Sequence, residues 1–386
     1  MIISLTGFMG SGKSSVGRHL ATLLSRSFID LDEEIERSEG CTVKELFARR
    51  GEDGFREAET RALEKLLGRA GTDDFILALG GGTPCRKGNA ELLDDTFIIY
   101  LRAREETLEK RLRDCEGRPM LEMRDVHGLL AEREGIYGEL ADLTVDTDKM
   151  SAGETALTIA GMLTPPAPRF IECCCTSLEE ALEAEAGGAS RIELCTDLTI
   201  GGVTPDITTV REVTGRLKIP VNVLVRPRGG DFIYSRHELD TMLGSIAKCK
   251  DAGVSGIVIG ALLPDGSVDE PAMKKLISAS RPLSVTFHRA FDESASPLDA
   301  FEQVISLGCD RLLTSGARED AFKGRKMIRE LVKRSQGRIC VMAGCGVRPH
   351  NIAGIQAVSA AREFHSSSHG PAGMTDRNIV SMLVAK

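Results

Sequence analysis

Three prolines fall within four positions in Thr164-Pro165-Pro166-Ala167-Pro168-Arg169. Neither a helix nor a central strand continues through such a run, because proline lacks the backbone donor that both need. The chain therefore divides there, and at 386 residues it is long enough for each side to close its own core. Both sides alternate short apolar, β-branched runs with amphipathic stretches. Before the break the runs are IISLTG, SFIDLD, FILALGGG and TFIIYL, separated by segments such as RALEKLLGRA, an α/β pattern of the mononucleotide-binding kind. After it come RFIECCC, SRIELC, PVNVLVRP, GIVIGAL, SVTFHRAFD, RLLTSG, RICVMAGCG and REFHSSS, and each of the first seven is followed by a helix-compatible stretch. Eight strands in that alternation predict a closed (β/α)₈ barrel. The expected organisation is a first domain over 1–163, a linker over 164–168 and a barrel over 169–386.

Composition narrows the function classes. With 49 Lys and Arg against 57 Asp and Glu the net charge is −8, the wrong sign for holding nucleic acid by phosphate neutralisation. No Trp is present and aromatics make up 4%, which argues against a base-stacking platform. The opening MIISLTGFMGSGKSS lacks a basic leader, and no run of about 20 apolar residues follows that could span a membrane. A cytoplasmic protein without membrane or nucleic-acid partners is expected, its oligomeric state left open. Eleven cysteines, an odd number, point to reduced thiols, some as metal ligands, rather than a disulfide framework. Eight of them follow the linker.

Gly7-Phe8-Met9-Gly10-Ser11-Gly12-Lys13-Ser14 is a full G-x-x-x-x-G-K-[ST] between a strand and a helix. Its glycines let successive N–H groups wrap a phosphate, and the helix that starts there adds its positive end. Gly10, Ser11, Gly12, Lys13, Ser14 and Ser15 are the expected ATP contacts, with Lys13 reaching the β- and γ-phosphates and the Ser14 hydroxyl on Mg²⁺. Asp30 and Asp32 follow at i and i+2 on one side of a strand end, one for the Mg²⁺ shell and one for an acceptor hydroxyl. Further along stand Arg56 in GEDGFREAE, Gly80, Gly81 and Gly82 in LGGGTP, Arg118 in EGRPML and Arg133 in AEREGIY.

In this order the set resembles the shikimate kinase family over residues 1–163. The resemblance implies a P-loop kinase fold with a parallel sheet, ATP and Mg²⁺ as cofactors, and shikimate as the small-molecule substrate. It implies Asp30 beside the Mg²⁺, Asp32 on the shikimate hydroxyls, Arg56 and Arg133 clamping the carboxylate, and Gly80 to Gly82 contacting the acceptor. Arg118 becomes the lid arginine over the transferring phosphoryl group, and Arg111 the residue stacking on adenine. With Lys13, Asp32 and Arg118 carry the catalytic roles. Where the family commonly reads R-x-P-L-Y-R, this chain has Arg133-Glu134-Gly135-Ile136-Tyr137-Gly138, keeping the arginine and the tyrosine. The runner-up is a P-loop kinase of another small acceptor, gluconate or a nucleotide, or a metal-homeostasis protein whose P-loop senses nucleotide.

In the second half, strand alternation puts Glu172 with Cys174, Glu193 with Cys195, Arg226 with Arg228, Thr286 with His288 and Glu363 with His365. Pointing inward, they would converge at the C-terminal mouth of the barrel, where barrel chemistry occurs. The alternative is a purely structural Glu–Arg network with core cysteines. ECCCTS, RPRGGDFIYS and TFHRAFD make this half resemble the CutC family, named for copper homeostasis, from about residue 169 onward. The resemblance implies a TIM barrel and a proposed Cu(I) association through Cys174 and Cys195, and thiolates suit that soft ion. Thr176 replaces a usual Asp, and Cys345 interrupts a usual triple glycine. Cu(I) needs none of Glu172, Glu193, Arg226, Arg228, Asp231 and His288, so an enzyme acting on a small anionic substrate stands beside the metal reading.

Overall fold

The computed structural model describes residues 1–69, 73–113, 126–164 and 168–385. The chain forms two compact units, Met1–Thr164 and Pro165–Lys386. Residues 165–167 of the proline-rich segment, and Arg118, lie outside the described residues. Among those described, no helix is long and apolar enough to cross a membrane.

The first unit is built on five parallel strands, β1 (Ile3–Thr6), β2 (Ser27–Asp30), β3 (Phe75–Ala78), β4 (Phe97–Arg102) and β5 (Leu143–Asp146), in the order β2-β3-β1-β4-β5. Helices α1 (Lys13–Leu23), α2 (Leu31–Glu39), α3 (Val43–Leu67), α4 (Lys87–Leu93), α5 (Glu105–Arg113), α6 (Val126–Leu140) and α7 (Ala152–Leu163) surround it. Leu31, Ile35, Leu46, Phe55 and Leu63 pack against Phe75, Leu77 and Ile98 in one core cluster, and Phe8, Tyr100, Leu108 and Tyr137 form another. Apolar runs buried on both faces are what a parallel sheet requires. Two expectations are corrected here. The sheet has a fifth strand, LTVD, beyond the four apolar runs. Asp32 does not continue the β2 strand: it sits in the first turn of α2, because the Asp30 carboxylate accepts from Asp32 N at 3.1 Å and caps that helix.

The second unit is a closed parallel barrel of β6 (Phe170–Cys175), β7 (Arg191–Leu194), β8 (Val221–Leu224), β9 (Gly256–Ile259), β10 (Ser284–Phe287), β11 (Arg311–Thr314), β12 (Cys340–Gly344) and β13 (Glu363–Ser366). Helices α8 (Leu178–Ala186), α9 (Ile207–Arg216), α10 (Arg236–Asp251), α11 (Glu270–Ser280), α12 (Pro297–Ser306), α13 (Arg325–Ser335), α14 (Ile352–Ser359) and α15 (Arg377–Val384) follow the strands in turn. The eighth helix, α15, goes beyond the seven helix-compatible stretches of the sequence reading.

The barrel interior is polar in its lower part. The Arg191 guanidinium bridges the carboxylates of Glu172 and Glu363, Arg311 Nε donates to Glu363 at 2.9 Å, and Asn222 Nδ2 donates to Glu172 at 3.1 Å. Two guanidiniums against two carboxylates make a charge-balanced network, the form in which buried charges are tolerated. Burial would lower the Arg191 pKa, but Glu172 and Glu363 outweigh it and hold the charge more firmly. Glu172 therefore belongs to this layer and not to the mouth, correcting its expected place. Two residues further along each strand, one layer toward the C-terminal ends, stand Cys174, Glu193 and His365.

Candidate functional site

In the first unit a single cavity of about 970 Å³ is lined by the loop residues Gly10 to Ser15 together with Asp30, Asp32, Arg56, Gly80, Gly81, Gly82, Arg111 and Arg133. Gly12 adopts φ 94° and caps α1, so the loop turns sharply into the helix at a position that favours glycine. Lys13 Nζ donates to the carbonyls of Gly7 at 2.9 Å and Phe8 at 3.0 Å, which curls the loop around its own lysine. Ser14 Oγ donates to Asp30 Oδ2 at 2.6 Å. A hydroxyl and a carboxylate this close are hard oxygen donors of the kind Mg²⁺ takes. Arg111 crosses from α5 to the loop, donating to Gly10 O at 3.3 Å and to Thr147 O at 2.8 Å.

The rest of the cavity wall is assembled from α3, α6 and the turn after β3. Arg56 donates to Glu59 Oε2 at 2.9 Å, and Thr83 Oγ1 donates to Glu59 Oε1 at 2.6 Å, so a fully buried carboxylate fixes the arginine against the turn. A Cβ on Gly82 would come within 2.4 Å of an Arg56 terminal nitrogen, and one on Gly80 would lie 3.4 Å from Asp32 Oδ1. The glycines are therefore the condition for this close approach. Buried Arg133 lies mid-helix on α6, one turn before Tyr137, whose hydroxyl donates to Gly81 O. Burial raises the Tyr137 pKa, keeping that hydroxyl a donor. Burial also pushes up the Cys85 thiol, against the lowering fields of Arg133 and Arg56, both of which act on it.

The second cavity, about 650 Å³, opens at the C-terminal ends of the barrel strands. Cys174, Glu193, Cys195, Arg226 and His288 line it as the sequence suggests, joined by Arg289, Asp292, Arg348, His365, Ser366 and Ser367. Arg228 and Asp231 are not among its walls: they pair with each other at 2.8 Å on the exposed loop after β8, and Arg228 also reaches Glu238. Cys174 Sγ and Cys195 Sγ are 3.4 Å apart. Ligand atoms of Cys174, Glu193 and His365 all lie within 4.8 Å of one another. The hydrogen bond to Cys195 and then burial hold the Cys174 thiol well above its ordinary pKa. Burial alone would lower His365, yet the Glu193 carboxylate at 3.5 Å, with Glu172 behind it, raises its pKa. His288 goes the other way: burial, then Arg226, bring it down to about 3.

Some contributors escaped the sequence reading. Glu59 was legible as the i+3 partner of Arg56 on a helix, and Arg348 follows a strand end in GCGVR without any motif to mark it. The His365 face was predicted, but its pairing with Glu193 across β6 depends on strand stagger.

A P-loop α/β unit whose cavity is lined by arginines and a parallel (β/α)₈ barrel with a polar mouth define the class: a two-domain protein with a nucleotide-type site in one half and a barrel-mouth site in the other. Comparison with protein families finds the CutC family over residues 169–370 and shikimate kinase over residues 9–164. The chain belongs to the CutC family through its barrel and carries a shikimate kinase domain before it. A CutC family protein of Parabacteroides distasonis is 52% identical over 203 residues, covering 52% of this chain and 83% of that protein. One from Xanthomonas campestris is 47% identical over 201 residues, covering 52% and 84%. Among solved structures, the CutC protein of Streptococcus agalactiae is 30% identical and covers 52% of this chain and 98% of its own, with a TM-score of 0.50. A shikimate kinase from Acinetobacter baumannii in complex with shikimate is 37% identical and covers 42% and 92%, with a TM-score of 0.40.

Proposed function

We propose that the first unit transfers the γ-phosphoryl group of ATP to a shikimate hydroxyl, giving 3-phosphoshikimate and ADP. The observation that supports this most is the single cavity joining the phosphate loop, the Ser14–Asp30 pair, Asp32, Arg56, Arg133 and the Gly80–Gly82 turn. Loop N–H groups and Lys13 bind the phosphates, and Ser14 with Asp30 would hold Mg²⁺. When bound, that ion neutralises charge on the phosphoryl oxygens. Arg56 and Arg133 grip the acceptor carboxylate with planar, charge-assisted hydrogen bonds, which sets the hydroxyl in line. Asp32 takes the hydroxyl proton as the oxygen–phosphorus bond forms and the bond to ADP breaks. Arg111 braces the loop against Thr147 and offers its planar face to the adenine, while Arg118 closes on the transferring group and screens its charge. An ADP-release assay with shikimate, gluconate and AMP in turn is the test. Turnover with shikimate is expected, and turnover confined to gluconate or AMP would overturn the reading.

For the barrel, the 3.4 Å thiol pair of Cys174 and Cys195, flanked by Glu193 and His365, favours a soft monovalent ion, Cu(I), as its cargo. The described cysteines are all unpaired as disulfides, which suits a reducing, cytoplasmic setting.

A further inference from the structure

Three guanidiniums line the barrel mouth beside the carboxylates of Glu193, Asp292 and Glu293, and two of the three have no ion-pair partner among the described residues, a hydrogen-bonding capacity that a thiol site for a metal does not use. Arg226 is buried, yet its terminal nitrogens go to carbonyl oxygens: Ile200 at 3.3 Å, Gly201 and Gly202 at 3.2 Å each, and Gly230 at 2.5 Å. These bonds staple two loops and leave the charge uncancelled. Arg348 likewise donates to neutral groups, the Val347 carbonyl and the hydroxyls of Ser366 and Ser367, each at 3.2 Å. Neither guanidinium has a carboxylate within salt-bridge distance among the described residues. Arg289, the third at the mouth, is matched by Asp292 at 3.0 Å.

His288 supplies the second, independent observation. Ala290 N donates to His288 Nδ1 at 3.2 Å, so Nδ1 carries the lone pair and Nε2 carries the proton. That Nε2–H is buried, belongs to a residue 5% exposed that lines the cavity, and has no hydrogen-bond partner. Thr286 Oγ1, one layer below it on β10, is also buried and unpartnered. Buried donors are almost always satisfied in folded proteins, so orphans beside a cavity mark where a ligand's acceptors belong. Because the ring is neutral, it donates to a hydroxyl or carbonyl oxygen and adds no second charge.

We propose that the barrel mouth binds a small organic phosphate, with its phosphate on Arg348 and Ser367 and an oxygen of its carbon skeleton accepting from His288 Nε2–H. Phosphate is favoured over carboxylate by position, since Arg348 and Ser367 belong to the loops after the seventh and eighth strands and Ser366 ends the eighth, where barrels of this architecture seat phosphate. Ser366 is already saturated, donating to Val347 O at 2.9 Å and accepting from Ser368 N at 3.1 Å, so it orients Arg348 while Ser367 keeps its O–H to donate. A cavity of about 650 Å³ has room for such a molecule. The site rests on neither the kinase reading nor the thiols.

The test is calorimetric titration of the full chain with inorganic phosphate, after the phosphate loop has been saturated with Mg²⁺ and a non-hydrolysable ATP analogue. Millimolar binding is expected, weakened about tenfold or more in Arg348→Gln and about threefold in Ser367→Ala, a change too small to threaten folding. Arg211→Gln, exposed on α9, is the control and should bind as the parent does. Absence of phosphate binding in the parent chain, or a loss in Arg348→Gln no greater than in Arg211→Gln, overturns the site. Acetate binding as tightly as phosphate overturns the choice of phosphate. Glycerol 3-phosphate should bind more tightly than inorganic phosphate, and His288→Phe should abolish that advantage. Equal affinities in the parent chain would remove His288 from the site.

Discussion

Ser14 Oγ and Asp30 Oδ2 stand 2.6 Å apart, tying the first turn of α1 to the last residue of β2. The contact brings the end of the phosphate loop to the start of α2, and both atoms are hard oxygen donors. It also explains why Asp30 can serve twice, with Oδ2 toward Ser14 and Oδ1 capping α2.

Ser14→Ala and Asp30→Asn should therefore raise the Mg²⁺ concentration for half-maximal activity by about tenfold or more, the size of one lost charge-assisted contact. The KM for shikimate should move much less, because Arg56 and Arg133 are untouched. Steady-state rates across a Mg²⁺ series decide it. A Mg²⁺ dependence identical to that of the parent enzyme in both variants would separate this pair from the ion.

Gly82→Ala probes the proposed acceptor clamp without removing any of its groups. Gly82 has φ −100°, which alanine adopts freely, so the backbone is indifferent to the change. The new Cβ would meet Arg56 nitrogens at 2.4 and 2.7 Å, forcing the guanidinium off its seat. The KM for shikimate is expected to rise about tenfold with little change in stability. Arg56→Ala should differ by also destabilising the unit by about 3–5 kcal/mol, since fully buried Glu59 loses its cation. Paired kinetics and denaturant unfolding distinguish the two, and a normal KM in Gly82→Ala would contradict the placement of Arg56.

Much of this architecture is legible in the sequence. The phosphate loop could be read because its spacing is a backbone requirement, and the eight barrel strands because each apolar run is bounded by turn residues. What failed has physical reasons. LTVD has only Val145 fully buried, so β5 offers too little apolar signal for a strand at a sheet edge. SFIDLD reads as one strand through Asp32, although Asp30 followed three residues later by Glu33 is the pattern of a helix start. Period-2 alternation placed Glu172 on the inner face, but its depth depends on barrel stagger, which pairs it with Arg191 below the mouth. Arg228 and Asp231 lie past the end of β8, where no periodicity fixes a direction.

Cu(I) binding at the barrel should depend on both thiols, which stand 3.4 Å apart, and less on Glu193. In a competition titration against a chromophoric Cu(I) chelator, Cys174→Ser and Cys195→Ser should each weaken binding by about tenfold or more, and Glu193→Gln by less, because thiolates suit the soft ion better than a carboxylate does. Retention of full affinity in both serine variants would dismiss these sulfurs as ligands.

His288 gives the barrel a distinct pH signature. Its folded pKa of about 3 lies below the ordinary 6.5, with burial the first cause and Arg226 the second. Below pH 6.5 the unfolded chain takes up a proton that the folded barrel refuses, so stability falls as pH drops through the window between 6.5 and 3. By pH 5 the loss from this one group amounts to about 2 kcal/mol. His365 works in the opposite sense, since its pKa is raised in the fold and its contribution is complete below 6.5 and lost as pH climbs past the folded value. Denaturant unfolding of the barrel transition at pH 7 and pH 5, in the parent chain and in His288→Asn, isolates the first effect. The variant should lose about 2 kcal/mol less stability over that interval than the parent. If both chains show the same pH slope, His288 is not held neutral in the folded barrel, and the acceptor role of its Nδ1 toward Ala290 N goes with it.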